Sequence, residues 1–170
     1  MLFRICWLIV ILVITLVAEL LFCRAGALFA GPLFLCFYFV VTCNWQLGLT
    51  GGIIACVVSE VVLSRSFTAL PLLALLVPFA HMWRHNGDRR HSYIQALPAA
   101  LFGLSYATWF VVGENLVLWP PGFRMATGES VWIIVLSTLC AAIAFPLMIA
   151  ILDGIASLAK LPVFCRRSLG

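Results

Sequence analysis

The stretch Gly48–Ser66, GLTGGIIACVVSEVVLSRS, constrains the fold of this chain more than any other. It is apolar over the length of a membrane span and carries one carboxylate, Glu60, near its far end. Counting in fours from Gly48 gives Gly48, Gly52, Cys56, Glu60 and Ser64. Residues four apart share a helix face, so the small and polar side chains fall on one ridge. Ile53, Ile54, Val57, Val58, Val61 and Val62 cover the rest of the cylinder. In lipid, apolar surface gives helices no reason to associate, whereas small residues let two backbones approach closely. A carboxylate facing hydrocarbon is costly, so Glu60 is expected to point into the protein or toward a partner. The stretch reads as the central helix of a membrane bundle.

Composition carries this reading to the whole chain. The 170 residues are 65% hydrophobic and 9% charged, with a mean hydropathy of +1.18. A soluble domain carries roughly 25% charged residues, so this chain cannot cover a water-facing surface. Spans need about 20 apolar residues each, and the length suits six. The expectation is an all-α, polytopic six-helix transmembrane bundle in one domain, residues 1–170. Its spans fall at about 5–23, 26–45, 48–64, 66–83, 92–118 and 129–159. Met1–Arg4 resembles the start of a signal peptide, but the following apolar run exceeds the usual stretch of about 7–15 residues. The first span is therefore read as uncleaved. Pro71 and Pro78 predict a bent fourth helix and Pro146 a kink in the sixth. Arg84–His91, RHNGDRRH, reads as a loop in water.

Six spans put both termini on one side of the membrane. Arg4, Arg84, Arg89, Arg90, Lys160, Arg166 and Arg167 share that side, seven against the three of Arg24, Arg65 and Arg124. The excess makes both termini cytoplasmic. Tryptophan agrees, with Trp7, Trp45 and Trp83 at inner ends and Trp119 and Trp132 at outer ends. Glu19, Glu60 and Glu114 then lie toward the outer leaflet and Asp153 at the inner end.

Several functional classes lose support. The net charge of +4 is placed for topology, and no basic stripe with interleaved aromatics points to nucleic acid. Seven scattered cysteines without CxxC spacing imply neither a disulfide framework nor zinc. His81 and His85 have the spacing of two metal ligands, but Arg84, Arg89 and Arg90 beside them repel a cation, and they read as headgroup-facing. Asp153-Gly154 opens like the motif of membrane phosphatidyltransferases, yet no further aspartate follows it. No nucleophile, base and electrophile assemble from the pattern. The expectation is a protein that is not an enzyme and has no cofactor or metal.

The candidate partner-binding residues are Gly48, Gly52, Cys56 and Glu60, with Glu19 near the end of the first span. Glu60 is either a docking carboxylate, capped by Arg24 or Arg65, or an acid that snorkels to the interface. Gly48-x-x-x-Gly52 packs either within the chain or against another chain. Glu114 reads as a helix-end group at the surface.

The order of features resembles the rod shape-determining MreD proteins. Gly31-Pro32-Leu33-Phe34-Leu35 matches their early Pro-led apolar run, and Gly48 through Glu60 matches their Gly-rich span ending in an acid. Pro146-Leu147-Met148 through Leu152-Asp153 matches the end of their last span. The sequence departs from them in having Glu at position 60, where Asp is commoner, and in lacking Gly or Pro just after it. The resemblance implies a non-catalytic scaffold subunit of the bacterial cell-elongation machinery that builds peptidoglycan. Its implied partners are an MreC-like single-span protein, the MreB filament and the peptidoglycan synthases. It also implies a fold similar to the substrate-binding subunits of energy-coupling-factor vitamin transporters. That similarity supplies the alternative function, with Glu19, Glu60, Tyr106 and Glu114 lining an outer pocket. Against it, Ala18 is the first span's only alanine, where such subunits present a repeated-Ala face.

Overall fold

The computed structural model describes residues 2–63, 68–87, 91–113, 127–159 and 161–165. Glu114, Arg65, Arg124, Trp119 and the basic residues Arg89, Arg90, Lys160, Arg166 and Arg167 lie outside the described residues. The chain is all-helical where it is described: α1 (Leu2–Arg24), α2 (Gly31–Thr42), α3 (Trp45–Val62), α4 (Leu70–Asn86), α5 (Ala96–Gly113) and α6 (Thr127–Leu158). A single 3-10 turn, Ser92–Gln95, leads into α5. Among the described residues four segments are long and apolar enough to cross a membrane: α1, α3, the turn with α5, and α6.

The central helix is α2, not α3 as the sequence pattern had suggested. Its sequence, GPLFLCFYFVVT, is apolar on every side, which is the mark of a helix enclosed by others. From Leu33 to Val41 no residue is more than 2% exposed. Pro32 suits the first turn, where its missing N–H costs nothing. Twelve residues rise only about 18 Å, short of a hydrocarbon core of about 30 Å.

The chain reaches α2 through a non-helical stretch. α1 closes with a left-handed Gly26 (φ +76°). Gly26 N–H donates to the Cys23 carbonyl at 3.1 Å and Ala27 N–H to that of Phe22 at 3.0 Å. This pair of hydrogen bonds satisfies the helix's last carbonyls. Residues 27–30 are then irregular yet largely buried, with Ala27, Phe29 and Ala30 at 2% exposure or less. Irregular backbone at membrane depth survives only inside protein with its polar groups paired. Here Leu28 N–H donates to the Ser137 hydroxyl of α6 at 2.8 Å.

Two seams of small residues hold the helices. On one side α3 lays Gly48 and Gly52 against α2. A Cβ on Gly48 would meet the side chain of Val40, and would lie 2.7 Å from Val40 N and 2.8 Å from Cys36 O. On the other side α5 presents Ala99, Gly103 and Ala107, all buried, to α6. A Cβ on Gly103 would come within 2.6 Å of Ala141 Cβ and 3.0 Å of Ser137 O. Between the seams α2 sends aromatic rings outward: Phe34 meets Phe145 edge-on at 4.8 Å and Phe37 meets Phe102 at 5.0 Å.

Neighbouring helices alternate in direction. The start of α2, the ends of α1 and α3 and the start of α4 gather at one end with the later half of α5. The end of α2, the end of α4, the 3-10 turn and the end of α6 gather at the other.

Gly48→Ala is expected to lower stability by about 1–3 kcal/mol through overpacking against backbone that cannot move aside. Gly154→Ala on α6, where nothing lies within 4 Å of the new methyl, should be neutral or stabilise by up to about 1 kcal/mol. Ser137→Ala strands a buried amide and should cost about 1–3 kcal/mol. Thermal unfolding of the purified variants in one detergent ranks all three.

Candidate functional site

The Gly48–Glu60 ridge is turned into the protein. Gly48, Gly52 and Cys56 are buried, with Cys56 at 0% exposure. Opposite Gly52 stand Cys36 of α2 and Leu73 of α4, a Cβ there lying 2.9 Å from Cys36 Cβ and 3.2 Å from Leu73 Cδ2. Gly51 faces Leu35 and Leu8 in the same way. Of the two settings expected for Gly48-x-x-x-Gly52, packing within the chain is the one seen. The helix that uses their small size is α2 of the same chain, and an outside helix reaches them only by displacing it.

Glu60 ends the ridge and is half-buried. Its Oε1 accepts a hydrogen bond from Ala69 N–H at 3.0 Å. Ala69 is the residue that precedes α4, so the carboxylate caps that helix where backbone N–H groups lack partners. The Thr68 hydroxyl accepts from Leu70 N–H at 3.2 Å, and its carbonyl accepts from Trp109 Nε1 at 2.8 Å. Glu60 thus belongs to a joint of α3, α4 and α5, where its carboxylate caps a helix of the same chain.

Glu19 is 1% exposed, and its Oε1 accepts a hydrogen bond from the Tyr106 hydroxyl of α5 at 3.0 Å. A Cβ on Gly31, the first residue of α2, would lie 3.2 Å from Glu19 Oε2. The absence of a side chain there lets the carboxylate sit over the start of a helix, where the dipole favours negative charge. Glu19 and Tyr106, two of the four residues expected to line an outer pocket, are thus brought together. Glu60 has different partners, and Glu114 lies outside the described residues.

Other polar groups join helix ends at the opposite face. Arg84 Nη1 donates to the carbonyls of Cys43 at 3.0 Å and Val40 at 3.4 Å, closing the C-terminus of α2. Trp83 Nε1 donates to Gln95 Oε1 at 2.9 Å. Asp153 accepts from two backbone N–H groups beyond the end of its own helix. His81 and His85 are exposed with rings 4.9 Å apart, and among the described residues no three His, Cys, Asp or Glu gather as metal ligands would.

A groove of about 270 Å³ lies between α4 and α5, with Leu33 and Phe102 among its lining residues. Ser105 is its one polar lining side chain. It lies between the Trp83–Gln95 and Trp109–Thr68 bonds, and among the described residues no carboxylate lines it.

Several of these partnerships escaped the sequence reading. Ala99-x-x-x-Gly103-x-x-x-Ala107 carries the same small-residue signal as Gly48-x-x-x-Gly52 and was open to detection. The roles of Ser137 and Arg84 were not, because each bonds to backbone more than forty positions away in the chain. Comparison with protein-family models, with curated proteins and with solved structures gives no match.

Glu60→Leu is expected to lower stability by about 0.5–2 kcal/mol, the usual cost of losing a helix cap. Glu60→Gln keeps an acceptor oxygen and should retain most of it. Thermal unfolding in detergent separates the two, and equal losses would mean that the charge rather than the hydrogen bond matters.

Proposed function

We propose that this protein is a non-catalytic scaffold subunit of the bacterial cell-elongation complex, of the MreD kind. One observation carries this reading: three described acids of the helices are engaged by the chain's own groups. Glu60 holds Ala69 N–H, Asp153 holds the N–H groups of Phe164 and Cys165, and Glu19 holds the Tyr106 hydroxyl. Glu60 and Glu19 tie helices to one another in this way, and that serves shape rather than turnover.

In this reading the chain crosses the cytoplasmic membrane six times with both termini cytoplasmic, and residues 27–30 help α2 reach across. The alternating helices and the positive-inside count support that arrangement. Its fold is that of the energy-coupling-factor substrate subunits. Partner helices dock on the outward faces of α1 and α6, since α2 closes the Gly48–Glu60 ridge. Those two helices are the least enclosed of the long apolar ones, 28% and 22% buried over their apolar windows. The neighbours are an MreC-like single-span protein, the MreB filament and the peptidoglycan synthases.

A second reading, a substrate-binding subunit of a vitamin transporter, is favoured by the meeting of Glu19 and Tyr106 in the half of the bundle assigned to the outer leaflet.

Purification from native membranes in mild detergent distinguishes the two. The scaffold reading expects a single-span protein with a periplasmic coiled coil in the eluate. A tightly held small molecule without that protein supports the transporter reading instead. Val13→Trp on α1 and Ile143→Trp on α6, at positions 53% and 71% exposed, should reduce partner recovery several-fold while the chain still inserts.

A further inference from the structure

Beyond α6 the chain turns back across the end of the bundle. Leu161 N–H donates to the Ala156 carbonyl at 2.8 Å, which stops the helix and reverses the chain. Asp153 takes two of the backbone N–H groups that follow. Phe164 N–H donates to Asp153 Oδ1 and Cys165 N–H to Asp153 Oδ2, each at 2.7 Å, the length of charge-assisted bonds. The Phe164 ring is fully buried, 5.6 Å from that of Phe37 and stacked at 5.9 Å on that of Tyr38.

What lies beneath is not apolar. The Tyr38 hydroxyl and the Trp7 indole N–H are buried with no hydrogen-bond partner among the described residues. Trp7, Asp153 and Cys43 are among the polar neighbours of that hydroxyl. Buried Tyr and Trp ordinarily find partners for these groups, and leaving them unmet costs free energy. Along its other edge the segment stands off α1 across an apolar cleft of about 220 Å³, lined by Cys6, Trp7, Val10, Ala159 and Leu161. The covering segment is therefore pinned at Asp153 and by Phe164, separated from α1, and laid over polar groups that water would satisfy.

We infer that residues 161–165 form a releasable strap, latched by the Asp153 carboxylate and the Phe164 ring, over a polar recess at the end of the bundle where α6 stops. Release turns the Asp153 carboxylate, the Tyr38 hydroxyl and the Trp7 indole toward the aqueous side while the helices keep their packing. The device is independent of the scaffold reading, because it needs no partner to operate.

Cys165, half-buried in the strap, reports its state, while Cys36 and Cys56, both at 0% exposure, report the helix packing. The full chain in detergent is treated with a water-soluble maleimide, and labelling at each cysteine is followed by peptide mass spectrometry. In the unaltered protein Cys165 should react more slowly than in the detergent-denatured chain. Asp153→Asn should raise its rate on the order of tenfold, the effect of losing charge-assisted hydrogen bonds, with Cys36 and Cys56 silent. Phe164→Ala, which leaves the carboxylate in place, should do the same by removing the buried ring. The inference is overturned if Cys165 reacts at the denatured rate from the outset or if neither variant changes it. It is equally overturned if Cys36 and Cys56 become reactive in step with Cys165, since the strap is then no separate unit.

Discussion

The close approach of α3 to α2 is the contact on which the other helices depend. Gly48 and Gly52 bring α3 close enough that even a methyl group would strike the backbone or Cβ atoms of α2. In lipid that proximity supplies the dispersion contacts that hold helices together, since the medium is as apolar as the side chains. With α3 so near on one face, α2 can lie inside the bundle and turn its aromatic residues toward α5 and α6.

Enclosing a short helix creates a second demand, because its ends fall at a depth where water cannot serve the backbone. The chain answers with side chains from distant helices. Ser137 takes the amide of Leu28 before α2, and Arg84 takes the carbonyls at its close. Glu60 does the same for the start of α4, and Asp153 for the segment after α6. All four of these polar side chains take up backbone groups left over where a helix starts or stops.

The helices are not equally committed to this core. α5 and α6 adhere through Gly103 and Ala141, and α2 and α3 through Gly48 and Gly52. α4 and α5 are bridged by two tryptophan hydrogen bonds with an apolar groove between. α1 and α6 each leave a broad apolar face outward, which costs nothing in lipid and leaves surface for other helices.

The membrane setting and the helical class were legible in the sequence, since a chain with so few charges has no other way to be solvated and lipid leaves the backbone few alternatives to the helix. The ridge from Gly48 to Glu60 was legible too, because spacing by fours is a property of one helix alone. Which helix would meet that ridge was not, for a row of small residues specifies close approach without specifying by whom. Glu60 serves as a cap because the chain returns to it nine residues later at Ala69. The sequence by itself determined that apolar helices would form and where small residues would let them touch. Only the tertiary structure decided that α2 would be the enclosed helix and which acid would serve which backbone group, because such pairings depend on distances across the bundle that no local pattern records.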